Sequence, residues 1–167
     1  GGEHLWNLKE DKEELINNFC DALDSLHSIA EVDANTDDMI DVYLNKTKSR
    51  VEEVRSLIRD IDEPMVKINS RMCINPLCDE EYFEEHIKKI SNIDKFNIIH
   101  GDNTFSNTIA DENSKIWFID PRGVFGSTPI YGDRRYDYAK LYYSAYGNYD
   151  SINCLLYTSD AADDIRC

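Results

Sequence analysis

The stretch "NIIHGDNTFSNTIADENSKIWFIDPRG", Asn97 to Gly123, decides how this chain is read. With Phe96 just before it, it holds three short apolar runs rich in β-branched and aromatic residues: "FNIIH" ending at His100, then "NTIA", then "KIWFI". Runs of this length and composition read as strands, and the intervening "DENS" is turn-forming chemistry. The last two runs are therefore expected to form a hairpin. Pairing about a centre between Asn113 and Ser114 sets Asn107 opposite Asp120, as close neighbours at the open end. Asp102 falls in the loop that enters the same end. Three oxygen-bearing side chains, far apart in sequence, are thus expected to converge on one spot.

Such a convergence suits a magnesium site serving a phosphate ester. Magnesium takes oxygen ligands and usually only one or two protein carboxylates, with phosphates and water completing its shell. Asn107 and Asp120 would supply the protein oxygens. Asp102 would stay off the metal and orient an attacking hydroxyl as a base. Phosphoryl transfer asks mostly for positioning, plus cations on the developing charge. Each residue also has a plainer reading. Asp102 can be a turn or cap residue, Asp120 can start a turn before Pro121, and Asn107 can sit at a strand edge. His100 is structural under either reading, and Asp133 reads as a helix cap.

These residues carry a resemblance. "HGDNTFSN" resembles the H-G-D-x-x-x-x-N catalytic loop of the aminoglycoside phosphotransferase and choline kinase superfamily. "FIDPRG" is similar to that family's metal-binding I-D segment, and "GDRRYDYA" to its downstream G-D-x-x-x-D-x-A helix start. The three motifs lie in the family's order between His100 and Ala139. The resemblance implies Asp102 as catalytic base, Asn107 and Asp120 as magnesium ligands, and His100 and Asp137 as hydrogen-bonding supports of the loop. It implies ATP as phosphoryl donor and a small-molecule hydroxyl as acceptor: a sugar or sugar-derived metabolite, choline or an aminoglycoside. Arg134 stands where the family often has proline, and Tyr138 where leucine is frequent. The sequence holds no glycine-rich phosphate loop and no identifiable strand lysine ahead of its helices. In this family those features belong to the N-terminal lobe. The expectation is therefore an α+β fold: the mainly helical C-terminal lobe of a protein-kinase-like fold over residues 1–153, with a small β-hairpin carrying the metal ligands.

Outward from the motif region the pattern is helical. Leu15, Ile16, Phe19, Cys20, Leu23 and Leu26 recur at helical spacing, predicting an amphipathic helix from about Asp11 to Ala30. Thr36 or Asp37 can cap a second helix, whose later stripe is Val51, Val54, Leu57, Ile58 and Ile61, with Pro64 beyond its end. "EPMVKINSRMCINPLCD" reads as irregular. A short helix with Tyr82, Phe83, Ile87 and Ile90 on one face follows. After the motifs, "DRRYDYAKLYYSAYG" predicts a helix capped by Asp133 and stopped at Gly147.

Composition narrows the function classes. A formal net charge of −15 over 167 residues argues against nucleic acid, which asks for clustered Lys and Arg. No apolar run approaches the roughly 20 residues of a membrane span, and no basic start leads into an apolar stretch, so no signal peptide is expected. Five scattered cysteines suit a reducing cytoplasm; Cys73 and Cys78 are loosely spaced for zinc, with no second pair. The tail from Cys154 to Cys167 changes character and resembles a translated sequencing-library adapter, so residues 154–167 are expected to be foreign. Seven tyrosines crowd the last third of the chain, from Tyr131 to Tyr149. A cage for a quaternary ammonium is one reading, and packing along the helix the favoured one. An acidic surface suits a cationic acceptor, but suits plain solubility better. Two rival classes remain. A metal-dependent phosphoesterase needs several histidines and a D-x-H element, whereas His4, His27 and His86 have no such spacing. A non-catalytic binding lobe would have no need of Asp102, Asn107 and Asp120 together.

Overall fold

The computed structural model describes residues 2–5, 12–68, 70–147 and 149–150. In chain order its elements are strand β1 (Gly2–His4), helix α1 (Lys12–His27), strand β2 (Glu31–Asp33), helices α2 (Thr36–Ile40) and α3 (Lys46–Val54), strands β3 (Met65–Ile68) and β4 (Arg71–Ile74), and helix α4 (Glu80–Ile90). Strands β5 (Lys95–Ile98), β6 (Thr108–Asp111), β7 (Ile116–Phe118), β8 (Val124–Phe125), β9 (Thr128–Pro129) and β10 (Tyr131–Gly132) follow, and then helix α5 (Arg134–Ala145). The class is mixed α+β. Among the described residues the strands pair antiparallel in small sheets, ordered β1-β6-β7, β10-β5-β2, β3-β4 and β8-β9. No helix among them is long and apolar enough to cross a membrane. The segment expected to be foreign, residues 154–167, lies outside the described residues.

The chain divides into two units, one formed by residues up to Asp33 and from Lys95 onward, the other by Ala34–Asp94. The first unit holds every candidate site residue. Its core joins the predicted stripe of α1 to the hairpin and to α5: Leu15, Phe19, Leu23, Ala110, Ile116 and Leu141 are all buried. Phe19 is fully buried and meets Phe118 edge-on at 5.1 Å and Phe105 at 6.3 Å. Burying one such side chain is worth about 1.5–3 kcal/mol, so α1 is held chiefly by the face that its periodicity marks. A second aromatic pair, Phe96 on β5 and Phe125 on β8, closes at 5.4 Å. Gly132 lies beneath that pair: a Cβ there would stand 2.5 Å from Ile99 and 2.7 Å from Phe125.

The hairpin forms, but in a different register from the expected one. Thr108 pairs with Phe118, Ile109 with Trp117 and Ala110 with Ile116, so the centre is Asn113 itself. The reason lies in the turn. A two-residue loop would need positive φ at Asn113, and in its type I′ form at Ser114 as well. Instead a three-residue loop places only Ser114 in the left-handed region, with φ 59°. The Asp111 carboxylate fixes this turn by accepting from the backbone N–H of Asn113 at 2.9 Å and of Lys115 at 3.1 Å. Those bonds, led by Asn113 and joined by the Trp117 indole, hold the Asp111 carboxyl below its ordinary range. The shift carries the metal candidates off the strands: Asn107 lies in a 3-10 turn, Phe105–Asn107, just before β6, and Asp120 lies two residues past β7.

In the second unit the expected long helix breaks. Asn35, and not Thr36 or Asp37, caps it by accepting from the Asp37 N–H at 3.1 Å. A π-helical turn, Asp41–Asn45, then interrupts it, and α3 stops at Val54. Of the expected stripe, Leu57 is 82% exposed and only Ile61 is buried. The stretch expected to be irregular contains the β3-β4 hairpin, followed by a turn around buried Asn75. The Asn75 amide donates to Ile61 O at 2.7 Å and Glu63 O at 3.0 Å, while its oxygen accepts from Leu77 N–H. Helix α4 forms as expected, capped by Asp79. Cys73 and Cys78 are both free, and their thiols face different carbonyls.

Candidate active site

The site is built on the loop between β5 and β6. Strand β5 ends at Ile98, and the next residues turn through Gly101 at φ +78°. That left-handed conformation favours glycine, and a Cβ at Gly101 would also press on Arg122 at 3.0 Å. The turn aims consecutive backbone N–H groups inward. Asp137, fully buried on α5, receives them: Oδ2 accepts from His100 N at 2.9 Å and Oδ1 from Gly101 N at 2.8 Å. Two further groups close the clamp. His27, at the end of α1, places Nε2 3.0 Å from Asp137 Oδ2. Asn103, fully buried, donates its amide to Asp137 O at 2.9 Å.

His100 is the hub of the loop. Its Nδ1 accepts from the Asp102 backbone N–H at 3.2 Å, which leaves Nε2 to donate to Ile119 O at 2.9 Å. Its own carbonyl accepts from Arg122 N at 2.9 Å. One buried histidine thus staples the loop carrying Asp102 to the segment carrying Asp120. From the other side Ile119 N–H donates to Asn107 O at 3.0 Å. Asp120 is therefore the residue just beyond the one that bonds Asn107, and it is exposed, with φ 55°. Non-glycine residues enter this region rarely, at sites where the surroundings hold them.

Asp102 is half-exposed and held by its neighbours. Asn107 donates its amide to Asp102 O at 2.8 Å and to Asp102 Oδ2 at 3.2 Å. Lys140, from α5, places Nζ 2.9 Å from Asp102 Oδ1. The expected set thus gathers in one place, with Asp102, Asn107, His100 and Asp137 linked by hydrogen bonds and Asp120 adjoining. His27, Asn103 and Lys140 are additions. Nothing in their spacing ties them to Asp102; only Lys140 carried a faint signal, one helical turn after Asp137.

Asn107 turns its NH2 toward Asp102, and Asp120 is exposed. An amide oxygen and a carboxylate are donor types that magnesium takes. Among the described residues no three His, Cys, Asp or Glu side chains form a metal cluster. An amide-plus-carboxylate pair needs the phosphates of a substrate to complete it.

Three of the seven tyrosines depart from the favoured packing reading. Tyr142, Tyr143 and Tyr146 are 63%, 46% and 78% exposed, and α5 buries Asp137, Leu141 and Ser144 instead. Tyr131, Tyr136, Tyr138 and Tyr149 are half-buried, and Tyr136 meets buried Phe125 edge-on at 5.7 Å. Tyr138 is the most firmly tied. It packs on the core, and its hydroxyl donates to Asp24 at 2.6 Å. Burial, then that bond to Asp24, raises its pKa to about 12. Because the folded chain holds this proton more tightly than an ordinary phenol, its contribution to stability is complete below about pH 10. It is lost as the pH climbs from 10 towards 12. In ultraviolet titration one phenol is expected to ionise near pH 12, and Tyr138→Phe should remove that step; a step unchanged in the variant would refute the assignment.

Comparison with protein-family profiles, with curated proteins and with solved structures returned no match.

Proposed function

We propose that this chain is the catalytic-loop lobe of a small-molecule kinase with a protein-kinase-like fold, one that transfers the γ-phosphoryl group of ATP to an acceptor hydroxyl. The observation that carries the reading is the clamped loop: Asp137 fixes the His100 and Gly101 N–H groups, and the half-exposed Asp102 follows directly. A general base needs a carboxylate whose backbone cannot drift yet whose oxygens reach substrate, and Asp102 meets both conditions. In the proposed step Asp102 accepts the proton of the acceptor hydroxyl as its oxygen bonds to the γ-phosphorus. The bond to the β–γ bridging oxygen breaks, and ADP leaves. Magnesium, when bound, would draw charge from the phosphate oxygens; Asn107 and Asp120 are the residues that would hold it. His100 keeps the Asp120 segment and the Asp102 loop in fixed relation while the acceptor changes.

The acceptor class stays as broad as the resemblance implies: a sugar or sugar-derived metabolite, choline or an aminoglycoside. The sequence has no glycine-rich phosphate loop, so this chain alone is expected to turn over little ATP. The test is magnesium-dependent ATP consumption against a panel of sugars, choline and aminoglycosides. It compares the chain alone with the chain joined to a glycine-rich-loop nucleotide-binding lobe from a small-molecule kinase. Acceptor-dependent ADP release from the joined protein supports the reading. Nucleotide binding without turnover on any acceptor would instead favour a binding lobe.

A further inference from the structure

Helix α5 carries a second group aimed at the same loop. Lys140 follows Asp137 by three residues, so both project from one face of the helix, one turn apart. Asp137 holds the loop's backbone through the His100 and Gly101 N–H groups. Lys140 holds its side chain through Asp102 Oδ1 at 2.9 Å. Its ammonium lies 5.9 Å from the centre of the Tyr136 ring and 6.0 Å from that of Tyr143, and only 24% of the side chain is exposed. A lysine so enclosed loses less freedom on pairing than a surface lysine does. Such a pair is correspondingly better placed than an exposed one, which is worth about 0–1 kcal/mol.

We propose that Lys140 is a positioning residue for the base, an inference that rests on the kinase reading of Asp102. A carboxylate joined to its loop by one side-chain bond can still turn about its own axis. The Asn107 bond to Oδ2, at 3.2 Å, is long. The Lys140 bond to Oδ1 supplies the second point and fixes the plane of the group. Each carboxylate oxygen has two acceptor sites, so each keeps one for the acceptor hydroxyl. In a chain with 33 acidic and 18 basic residues, this cation stands at the one carboxylate proposed to work as a base.

The experiment compares Lys140→Met and Lys140→Arg with the parent, by turnover in the chain joined to a kinase nucleotide-binding lobe and by nuclear magnetic resonance on this chain. Lys140→Met is expected to lower kcat by about 10- to 100-fold, the scale of a misplaced catalytic group, with the KM for ATP unchanged. Lys140→Arg should restore most of that loss. In the spectra, Lys140→Met should move the Asn107 side-chain amide and the Asp102 carboxylate carbon. The His100 and Gly101 amides, held by Asp137, should stay in place and so report an intact fold. Full turnover in Lys140→Met, or an unmoved Asp102 signal, would overturn the inference while leaving Asp102 as the base. A parent protein inactive on every acceptor would overturn the kinase reading, and the positioning role with it.

Discussion

Asp137→Ala is expected to cost the fold about 3 kcal/mol or more, because it strands three buried donors at about 1–3 kcal/mol each. The carboxylate is fully buried and accepts three hydrogen bonds: from His100 N, Gly101 N and, across the unit, His27 Nε2. Alanine would leave two backbone N–H groups and an imidazole without an acceptor, and each orphaned buried donor costs about 1–3 kcal/mol. Gly101 is buried and His100 almost fully so, which limits rescue by water. Asp137→Asn should recover part of the loss, because its one amide oxygen serves one donor while its NH2 faces another. His27→Gln should be milder still, since both loop bonds survive it. Urea unfolding followed by circular dichroism would rank the three. Amide exchange at His100 and Gly101 should quicken in Asp137→Ala and stay slow in His27→Gln. Equal stability of Asp137→Ala and the parent would mean that Asp137 does not organise the loop.

The parts of this arrangement that were legible in the sequence are those written in local chemistry. The α1 stripe announced its buried face, because helical periodicity and burial are one signal there. Asp133 and Gly147 marked the ends of α5, because caps answer to orphaned backbone groups within one turn. The motif order brought Asp102, Asn107, Asp120 and Asp137 to notice before any coordinates did. What stayed hidden depends on partners distant in the chain. The hairpin slipped by one residue because Asp111 pins a three-residue loop, and only the bonds to Asn113 and Lys115 reveal that. The second helix broke at a π turn with no proline or glycine to announce it. The exposed tyrosines misled because aromatic residues at helical spacing ordinarily face a core, whereas α5 turns a carboxylate and a serine inward. His27 lies 110 residues from Asp137, and no spacing rule spans that gap.

If the kinase reading holds, Asp102→Asn and Asp120→Ala are expected to separate two failures in the chain joined to a kinase nucleotide-binding lobe. Asn keeps the shape of Asp102 and an oxygen for Lys140 or Asn107, so the loop should remain folded. What it loses is the ability to take a proton. Loss of a positioned general base costs about 10²- to 10⁴-fold, and this loss should fall on kcat while the KM for ATP holds, because the base acts on the acceptor. Asp120→Ala should behave differently. It removes an exposed carboxylate beside the Asn107 contact, leaving the amide oxygen of Asn107 as the only protein oxygen proposed for magnesium. Turnover should then disappear at ordinary magnesium and recover little at high concentration, since magnesium bound by phosphates alone lacks its anchor to the protein. The fold should lose only the small added strain of alanine at this left-handed position, because His100 and Asn107 hold the Asp120 segment through the backbone of Ile119. Steady-state ATP turnover as a function of magnesium, with denaturation midpoints alongside, reads both effects. Full activity in both variants would sink the kinase reading, because the two carboxylates to which it assigns the proton and the metal would then be dispensable.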